Sequence, residues 1–386
     1  MTSGWVFAGL STACFALLLY PYLFYPAVLR LLSVKPVRKA PTNLSASLLF
    51  CAHNESDCLP DKIRNLRELK RETPGLEILV YDDFSTDGTF DLLRGVPDLL
   101  TVFRGPGRTG KAAGMKMLVR QAKGDILLFT DADVRIAPDA VDTLLPYYAD
   151  PEVGGVCCAI RMMSDGASAT GEIGTLYWEL DDRLQQLESA TGNVMGASGA
   201  LFSVRRSLYP DFPDSAQDDF AASMAVILQG KRLIKATDVM AYTDGCSTTG
   251  EEVRRKMRIA AGAFHTHGLM RDRIWRMAPR DRFKYVSRKF MRWFGGAFAA
   301  LSLLFAAIAV ALLVSPPAAL LFLALAAIGT AASLWASSGI LARVGEIVAA
   351  TFATVAGVFQ AYFGRTAATW TPVNSRLKSS APSNVE

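Results

Sequence analysis

Apolar residues concentrate at the two ends of the chain, while the middle alternates between short apolar runs and amphipathic stretches. Residues 5–29 contain no charge, and about 20 apolar residues suffice to cross the hydrocarbon core of a bilayer. A cleaved signal peptide would need a positive residue ahead of such a run, and no Lys or Arg precedes this one. The pattern predicts an uncleaved transmembrane anchor over residues 1–34, kinked at Pro21 and Pro26.

The last third of the chain repeats this pattern. Residues 294–314 and 318–336 are almost wholly apolar and predict two membrane crossings joined as a hairpin. A later run, residues 344–363, is long enough to span but has charged residues at its edge, so it either crosses the bilayer or lies flat in the interface. We therefore predict transmembrane or interfacial helices over residues 293–366 and a polar C-terminal tail over residues 367–386.

Basic residues cluster beside the apolar segments. The chain has 41 Lys and Arg against 36 Asp and Glu, an excess too small to indicate nucleic acid as a partner. Because Lys and Arg are enriched on the cytoplasmic flanks of membrane helices, their positions predict a multi-pass protein of the inner (plasma) membrane. Its middle domain, residues 45–270, and a basic membrane-proximal segment, residues 271–292, would be cytoplasmic. The flanking cations are Arg30, Lys35, Arg38 and Lys39 after the anchor, and Arg280, Arg282, Lys284, Arg288, Lys289 and Arg292 before the hairpin.

Four short apolar runs in the middle domain predict strands separated by amphipathic helices. They cover residues 45–52, 77–81, 100–103 and 125–130, and acidic loops follow three of them. Such alternation is typical of an open, parallel α/β sheet, in which ligands bind beyond the carboxyl ends of the strands. The sequence therefore predicts a Rossmann-like α/β domain with a site at that edge.

Asp131 and Asp133 directly follow the fourth predicted strand. Two carboxylates one residue apart at a strand end can hold one hard cation, and Mg²⁺ or Mn²⁺ held this way keeps coordination positions for a diphosphate. The cation would offset the charge that develops on a departing nucleoside diphosphate. A solvated turn that caps the next helix is the alternative, and the position beyond a buried strand favours the metal.

Six motifs occur in order between residues 45 and 270. They are the stretches 52–55, 81–89, 110–114, 129–133, 196–205 and 217–220. Together they resemble the inverting family 2 glycosyltransferases with the GT-A fold. The resemblance implies a membrane-anchored GT-A enzyme that moves a sugar from a nucleotide-diphosphate donor, a UDP-sugar, to a lipid-linked or polysaccharide acceptor at the inner membrane face.

The resemblance also implies roles for individual residues. Asp219 would be the base that removes the proton from the acceptor hydroxyl, with Asp218 beside it, and a carboxylate is chemically suited to that step. A pair of acidic residues stabilised at a helix N-terminus is the alternative interpretation. The metal ligands would be Asp131 and Asp133; the donor-binding residues Ala52, Glu55, Asp82, Asp83, Lys111, Asp131, Arg255 and Arg258; and the acceptor-side residues Gly196, Ser198 and Gly199.

The cations of residues 254–258 crowd one helical turn and need an anionic partner. Candidates are the donor diphosphate and lipid headgroups, and a solvated basic face is the alternative. The stretch resembles the segment where processive family members carry Gln-x-x-Arg-Trp, but Arg255 stands in place of the Gln and Ile259 in place of the Trp. We therefore predict transfer of single sugars rather than polymer synthesis.

Three other interpretations of the sequence are alternatives to a glycosyltransferase that transfers single sugars. Residues 105–112 match a P-loop except at Ala112, which has no oxygen to hold Mg²⁺. A nucleotide-sugar sensor or membrane scaffold on the same fold is a second alternative, and a processive polysaccharide synthase is a third. His265 and His267 are predicted to be structural rather than a third ligand of the metal.

Overall fold

The computed structural model describes residues 2–163, 169–244, 248–336 and 338–364. The predicted polar tail, residues 367–386, lies outside the described residues. Within them the strands are β1 (Ala46–Ala52), β2 (Glu77–Asp82), β3 (Thr101–Arg104), β4 (Ile126–Thr130), β5 (Arg135–Ile136), β6 (Val153–Met163), β7 (Leu201–Arg205) and β8 (Arg232–Asp244). The four predicted strands are present, each with its bounds shifted by at most one residue.

The helices of the described residues alternate with these strands and then run without interruption to the end. They are α1 (Thr2–Leu19), α2 (Phe24–Arg30), α3 (Leu59–Glu72), α4 (Thr89–Arg94), α5 (Lys111–Gln121), α6 (Ala140–Leu144), α7 (Ala169–Ala190), α8 (Asp218–Leu228), α9 (Thr249–Ile274), α10 (Pro279–Tyr285), α11 (Met291–Trp293), α12 (Gly295–Leu313), α13 (Pro316–Trp335) and α14 (Gly339–Tyr362). Short 3₁₀-helices cover Leu145–Ala149 and Arg206–Leu208, and a π-helical turn, Val286–Phe290, joins α10 to α11.

The strands form one mixed sheet in the order β3-β2-β1-β4-β7-β6-β8-β5. Its first half is parallel as predicted, with Leu49 of β1 paired to Leu79 of β2 and to Phe129 of β4. The expectation of a wholly parallel sheet is wrong, because β7 runs antiparallel to β4 and Leu201 pairs with Thr130. Since β7 begins where β4 ends, the loop before β7 reaches the same edge as the loop after β4.

Two apolar cores cover the two faces of the sheet. Every residue of β1 is buried, and its side chains alternate between the cores, Leu48 on one face and Leu49 on the other, as the two-residue period of a strand requires. The core that holds Leu49 and Phe129 also includes Trp293 of α11 and Val358 of α14. The C-terminal helices therefore complete the core of the α/β domain.

By length and composition α1, α12, α13 and α14 are each able to cross a membrane. α1 and α12 are antiparallel, because Ser11 Oγ donates to the Ser302 carbonyl at 2.9 Å and Gly295 lies against Leu18. The predicted single anchor is two helices, since the chain turns at residues 20–23 around Pro21 before α2 begins. Pro26 lies in the first turn of α2 and causes no further break, as expected where a proline replaces an amide without an intrahelical partner.

α14 lies across the hairpin of α12 and α13 rather than beside it. Gly345 packs against the Ser333 carbonyl at the end of α13, and Gly296 at the start of α12 packs against Thr351. Because α12 begins and α13 ends on the side of the α/β domain, both contacts lie on that side. This geometry favours the flat, interfacial option for the fourth apolar segment.

α14 is also held against α9 and α7. Glu346 accepts hydrogen bonds from Thr170 of α7 at 2.8 Å and from Thr249 of α9. About three helical turns after Glu346, Gly357 lies so close to α9 that an added Cβ would be less than 3.0 Å from the Met257 carbonyl oxygen. The glycine therefore allows the two helix backbones to touch.

Gly357→Val is expected to separate α9 from α14 and to lower the free energy of unfolding by about 1–3 kcal/mol, because the new side chain has no space. The measurement is the midpoint of thermal unfolding in detergent. Gly329→Val in α13 is the matched control, since an added Cβ there meets nothing within 4 Å. Equal losses in the two variants would contradict a packing role for Gly357.

Candidate active site

One lysine connects the acidic motifs at the carboxyl edge of the sheet. Lys111, the first residue of α5, places Nζ 2.6 Å from Asp131 Oδ1 and 3.8 Å from Asp218 Oδ2. A Cβ added at Gly199 would lie 3.6 Å from that Nζ and 3.0 Å from Asp219 Oδ2. The predicted metal motif, the predicted catalytic pair and the predicted acceptor loop therefore share one cleft.

The charged side chains around Lys111 change one another's pKa values. Burial by itself would lower the pKa of Lys111, but the Asp131, Asp218 and Asp219 carboxylates together raise this pKa well above its ordinary value. Lys111 is therefore a cation at every physiological pH. It occupies the position between carboxylates where a bound cation and phosphate oxygens would meet.

Asp219 lies in the first turn of α8 beside Asp218. Burial and, to a smaller extent, the Asp218 carboxylate raise the pKa of Asp219 to about 6, although Lys111 opposes both effects. A carboxylate with a pKa closer to neutrality is a stronger base than an ordinary aspartate, which suits it to remove a proton in a transition state.

Asp83 is fully buried and organises the loop that leads into α5. Its carboxylate accepts hydrogen bonds from the Thr109 amide at 2.7 Å and the Gly110 amide at 3.1 Å, and it pairs with Arg108 at 3.3 Å. The Gly110 φ of 91° is a conformation that glycine adopts without strain. A P-loop would present these amides to phosphate groups, and here they face a carboxylate, which is further reason to reject the P-loop interpretation.

The remaining predicted donor residues line the same edge. Asp82 is buried and pairs with Arg104 at 3.4 Å, while the Ala52 carbonyl accepts a hydrogen bond from the Asp83 amide at 2.9 Å. Glu55 is buried as well, and its amide donates to Thr89 Oγ1 at 2.8 Å. These contacts hold the loops after β1 and β2 against each other.

The donor set at the end of β4 fits a hard divalent cation. Asp131 and Asp133 are both partly exposed, and Asp131 already attracts the Lys111 ammonium group. Within the part of the chain that the structure describes, no group of three His, Cys, Asp or Glu side chains surrounds a common point. Mg²⁺ and Mn²⁺ sites of this type need only one or two carboxylates when phosphate and water oxygens supply the rest.

A buried lysine that the sequence pattern did not lead us to predict lies beneath this loop. Lys62 of α3 is 1% exposed, and its Nζ donates to the carbonyls of Asp131 at 3.1 Å and Val134 at 2.6 Å. Asn65, one turn later, exchanges two hydrogen bonds with the backbone of Ile136. The spacing along α3 could have indicated that this lysine is buried, because Lys62 falls on the same helical face as Leu59, Leu66 and Leu69.

The basic helix α9 contacts the start of α8, the helix that carries Asp218 and Asp219. Arg255 pairs with Glu252 of its own helix at 2.8 Å, and Arg258 makes no ion pair within the described residues. Thr266 Oγ1 accepts a hydrogen bond from the Gln217 amide at 2.8 Å and so fixes the start of α8. His267 stacks on the ring of Tyr285, and its structural role stays a prediction.

The predicted acceptor loop, residues 196–199, ends at β7. Gly196 has a φ of 94° and leaves space for the ring of Phe220 and the ammonium group of Lys289. Ser198 faces a small cavity that Trp178 and Lys235 also line. Lys289 therefore faces the first glycine of this loop, while Asp219 and Lys111 face the last one, Gly199.

Comparisons with known proteins match this region. The family described as Glycosyl transferase family 2 matches residues 47–212. Poly-beta-1,6-N-acetyl-D-glucosamine synthase of Staphylococcus aureus is 28% identical over 240 residues, which make up 58% of this chain and 56% of that protein. Beta-monoglucosyldiacylglycerol synthase of Synechocystis sp. is 28% identical over 167 residues, 42% of this chain and 35% of that protein. The matched part is thus about half or less of these relatives' length.

A solved structure has a similar fold. The mannosyltransferase PcManGT from Pyrobaculum calidifontis, in complex with GDP-Man and Mn²⁺, superposes with a TM-score of 0.72 at 23% identity. The alignment covers 93% of this chain and 99% of that one, so the likeness includes the apolar helices. It confirms the predicted fold, a GT-A domain with membrane-type helices.

Lys62→Met is expected to lower the free energy of unfolding by about 1–3 kcal/mol, because two buried carbonyl groups lose their donor. Thermal unfolding measures the loss. Arg64→Met removes a cation from the exposed side of the same helix and its ion pair with Asp61, which is worth at most about 1 kcal/mol. If Lys62→Met were no less stable than Arg64→Met, Lys62 would not support the loop.

Proposed function

Since this chain belongs to glycosyltransferase family 2, we propose that it transfers a sugar from a nucleotide-diphosphate donor to an acceptor hydroxyl at a membrane surface, with inversion at the anomeric carbon. The observation that carries the proposal is the contact of Lys111 with Asp131 and Asp218. Through the Lys111 side chain, the residues proposed to hold the metal and the diphosphate lie next to the residues proposed to remove the proton.

In this proposal Asp131 and Asp133 hold a divalent cation at the end of β4. The cation, when bound, offsets the negative charge that develops on the leaving diphosphate. Lys111 is free to turn from Asp131 toward a phosphate oxygen once the carboxylate has a metal partner. Arg255 and Arg258 add positive charge along α9 on the approach to the same cleft, where cations stabilise phosphate oxygens.

The nucleoside is proposed to lie against the loops after β1 and β2. Ala52, Glu55 and Asp82 form this wall, and Asp83 fixes the loop that carries Thr109 and Gly110. We propose a UDP-sugar as the donor. GDP-sugars, the class named for the mannosyltransferase of similar fold, are the alternative class to test alongside it.

Asp219 is the proposed base. The acceptor hydroxyl would approach between Asp219 and the loop Gly196–Ser198–Gly199, give its proton to Asp219 and attack the anomeric carbon from the side opposite the diphosphate. The oxygen–carbon bond to the acceptor forms as the bond to the diphosphate oxygen breaks, so the configuration inverts. Asp218 supports this step by raising the pKa of its neighbour.

The acceptor is proposed to be a lipid-linked or saccharide molecule at the cytoplasmic face of the membrane. The apolar helices α1, α12 and α13 emerge beside the domain, and their flanking cations suit the cytoplasmic side. The names of the two relatives cover a polysaccharide and a glycolipid product. Because Arg255 and Ile259 replace the residues of processive members, we propose that single sugars are transferred.

Asp219→Asn is expected to reduce sugar transfer by about 10²–10⁴-fold while donor binding is retained, because the amide is nearly isosteric but cannot accept the proton. The assay uses UDP- and GDP-sugars with Mn²⁺, membrane lipid extract and mass spectrometry of the product. Asp211→Asn, an exposed change of equal charge in the loop before α8, is the control. Retained activity in Asp219→Asn would disprove the base assignment, and donor binding without turnover in the unaltered chain would favour a sensor.

The transfer rate is expected to depend on the ionisation of Asp219. The carboxylate accepts a proton only when it is ionised, so kcat/KM should be constant above the pKa of about 6 and fall about tenfold for each pH unit below it. The measurement is kcat/KM for the acceptor across pH 5 to 8, roughly the range that brackets this pKa. An acid limb near the ordinary aspartate value would contradict the buried environment.

A further inference from the structure

The membrane-proximal segment carries four cations at residues 284–292, and the ammonium groups of Lys284 and Lys289 lie near Gly192 and Gly196, at and just before the predicted acceptor loop. Three of them are satisfied by the protein. Lys284 donates to the Glu188 carbonyl at 2.7 Å, Arg288 pairs with Asp181 at 2.8 Å and with Glu188, and Arg292 pairs with Asp181 at 2.6 Å. The two acidic side chains of α7 in this region, Asp181 and Glu188, are therefore already engaged.

The fourth cation, Lys289, takes part in none of the hydrogen bonds or ion pairs found among the described residues. Its ammonium group lies over the ring of Phe220, 5.1 Å from the centroid, and would lie 3.2 Å from a Cβ added at Gly196. At the other end of the same short loop, Gly199 faces Asp219. Lys289 therefore lies at one end of this loop, and the proposed base lies with Lys111 at the other end.

A partly buried ammonium group without a counter-ion is unfavourable, because lost hydration is not replaced. The ring face of Phe220 offsets only part of this cost. Asp181 and Glu188 cannot serve, since Arg288 and Arg292 hold them. A negatively charged ligand group at this position would restore the balance, and Lys289 faces Gly196 of the loop that is proposed to contact the acceptor.

We propose that Lys289 is an acceptor-binding residue that holds an anionic group of the acceptor beside Asp219. The inference rests on the proposed function, because it takes the loop of Gly196 and Gly199 as the acceptor side of the site. The anionic oxygen is either the phosphate of a lipid-linked acceptor or the carboxylate of an acidic saccharide. Both place a negative charge next to the attacking hydroxyl group, and Lys289 neutralises that charge.

The test uses the full chain in detergent and pairs of acceptors that differ only in charge. One pair is a polyprenyl glucosyl phosphate and the corresponding polyprenyl glucoside, which both present a sugar hydroxyl; the other is a glucuronoside and the corresponding glucoside. Binding is measured by native mass spectrometry, and KM and kcat by transfer from the donor. The variants are Lys289→Met, Lys289→Arg, and Lys123→Met as an exposed control.

Lys289→Met is expected to weaken binding and raise KM for one charged acceptor by at least about tenfold, the loss of one charge-assisted hydrogen bond. Its neutral partner and the donor should bind as before, Lys289→Arg should retain most of the preference, and Lys123→Met should change nothing. The pair that responds identifies the source of the anion.

Equal losses for the charged and neutral members of both pairs would overturn the inference. A shift in the acid limb of the pH profile with unchanged acceptor preference would also overturn it. Lys289 would then only affect the ionisation of Asp219, as the charges of Asp218, Lys111 and Asp131 do. Binding needs no turnover. Charge-selective binding that depends on Lys289, without transfer, would therefore contradict the proposed function and leave this inference standing.

Discussion

The arrangement of the candidate site depends on the ion pairs of Lys111. Three carboxylates at the edge of a sheet repel one another, and an ammonium group among them makes their close approach possible. Lys111 is placed there by Asp83, which binds the two amides immediately before it. The buried Asp83 carboxylate thus fixes the backbone just before Lys111, and the Lys111 ammonium group in turn stabilises the acidic side chains around it.

The reversal of β7 decides which loops meet at this cation. In a parallel strand only the following loop reaches the carboxyl edge of the sheet. Because β7 is antiparallel, its preceding loop, with Gly196 and Gly199, arrives there instead, directly across from the end of β4. The mixed sheet therefore delivers donor-side and acceptor-side loops to one place from two directions.

Much of this was accessible from the sequence. The four parallel strands, the acidic loops at their ends and the apolar helices follow from period and composition, since these depend on neighbours along the chain. The antiparallel strand was not, because strand direction is set by pairing between distant segments. Lys62 was overlooked because a lysine is ordinarily assigned to a solvated face, although its spacing from Leu59 and Leu66 marked the buried one. The partners of Arg288 and Arg292 were inaccessible for the same reason as β7: they lie a hundred or more positions earlier, on α7.

The core shared between the sheet and the C-terminal helices has a practical meaning for dissection of the molecule. Trp293 and Val358 pack in the same cluster as Leu49 and Phe129, so cutting the chain after α10 would strip apolar side chains from strands β1 and β4. A fragment of the α/β domain without these helices would expose part of its apolar core to water. Biochemical experiments on this chain therefore need the C-terminal helices to be present.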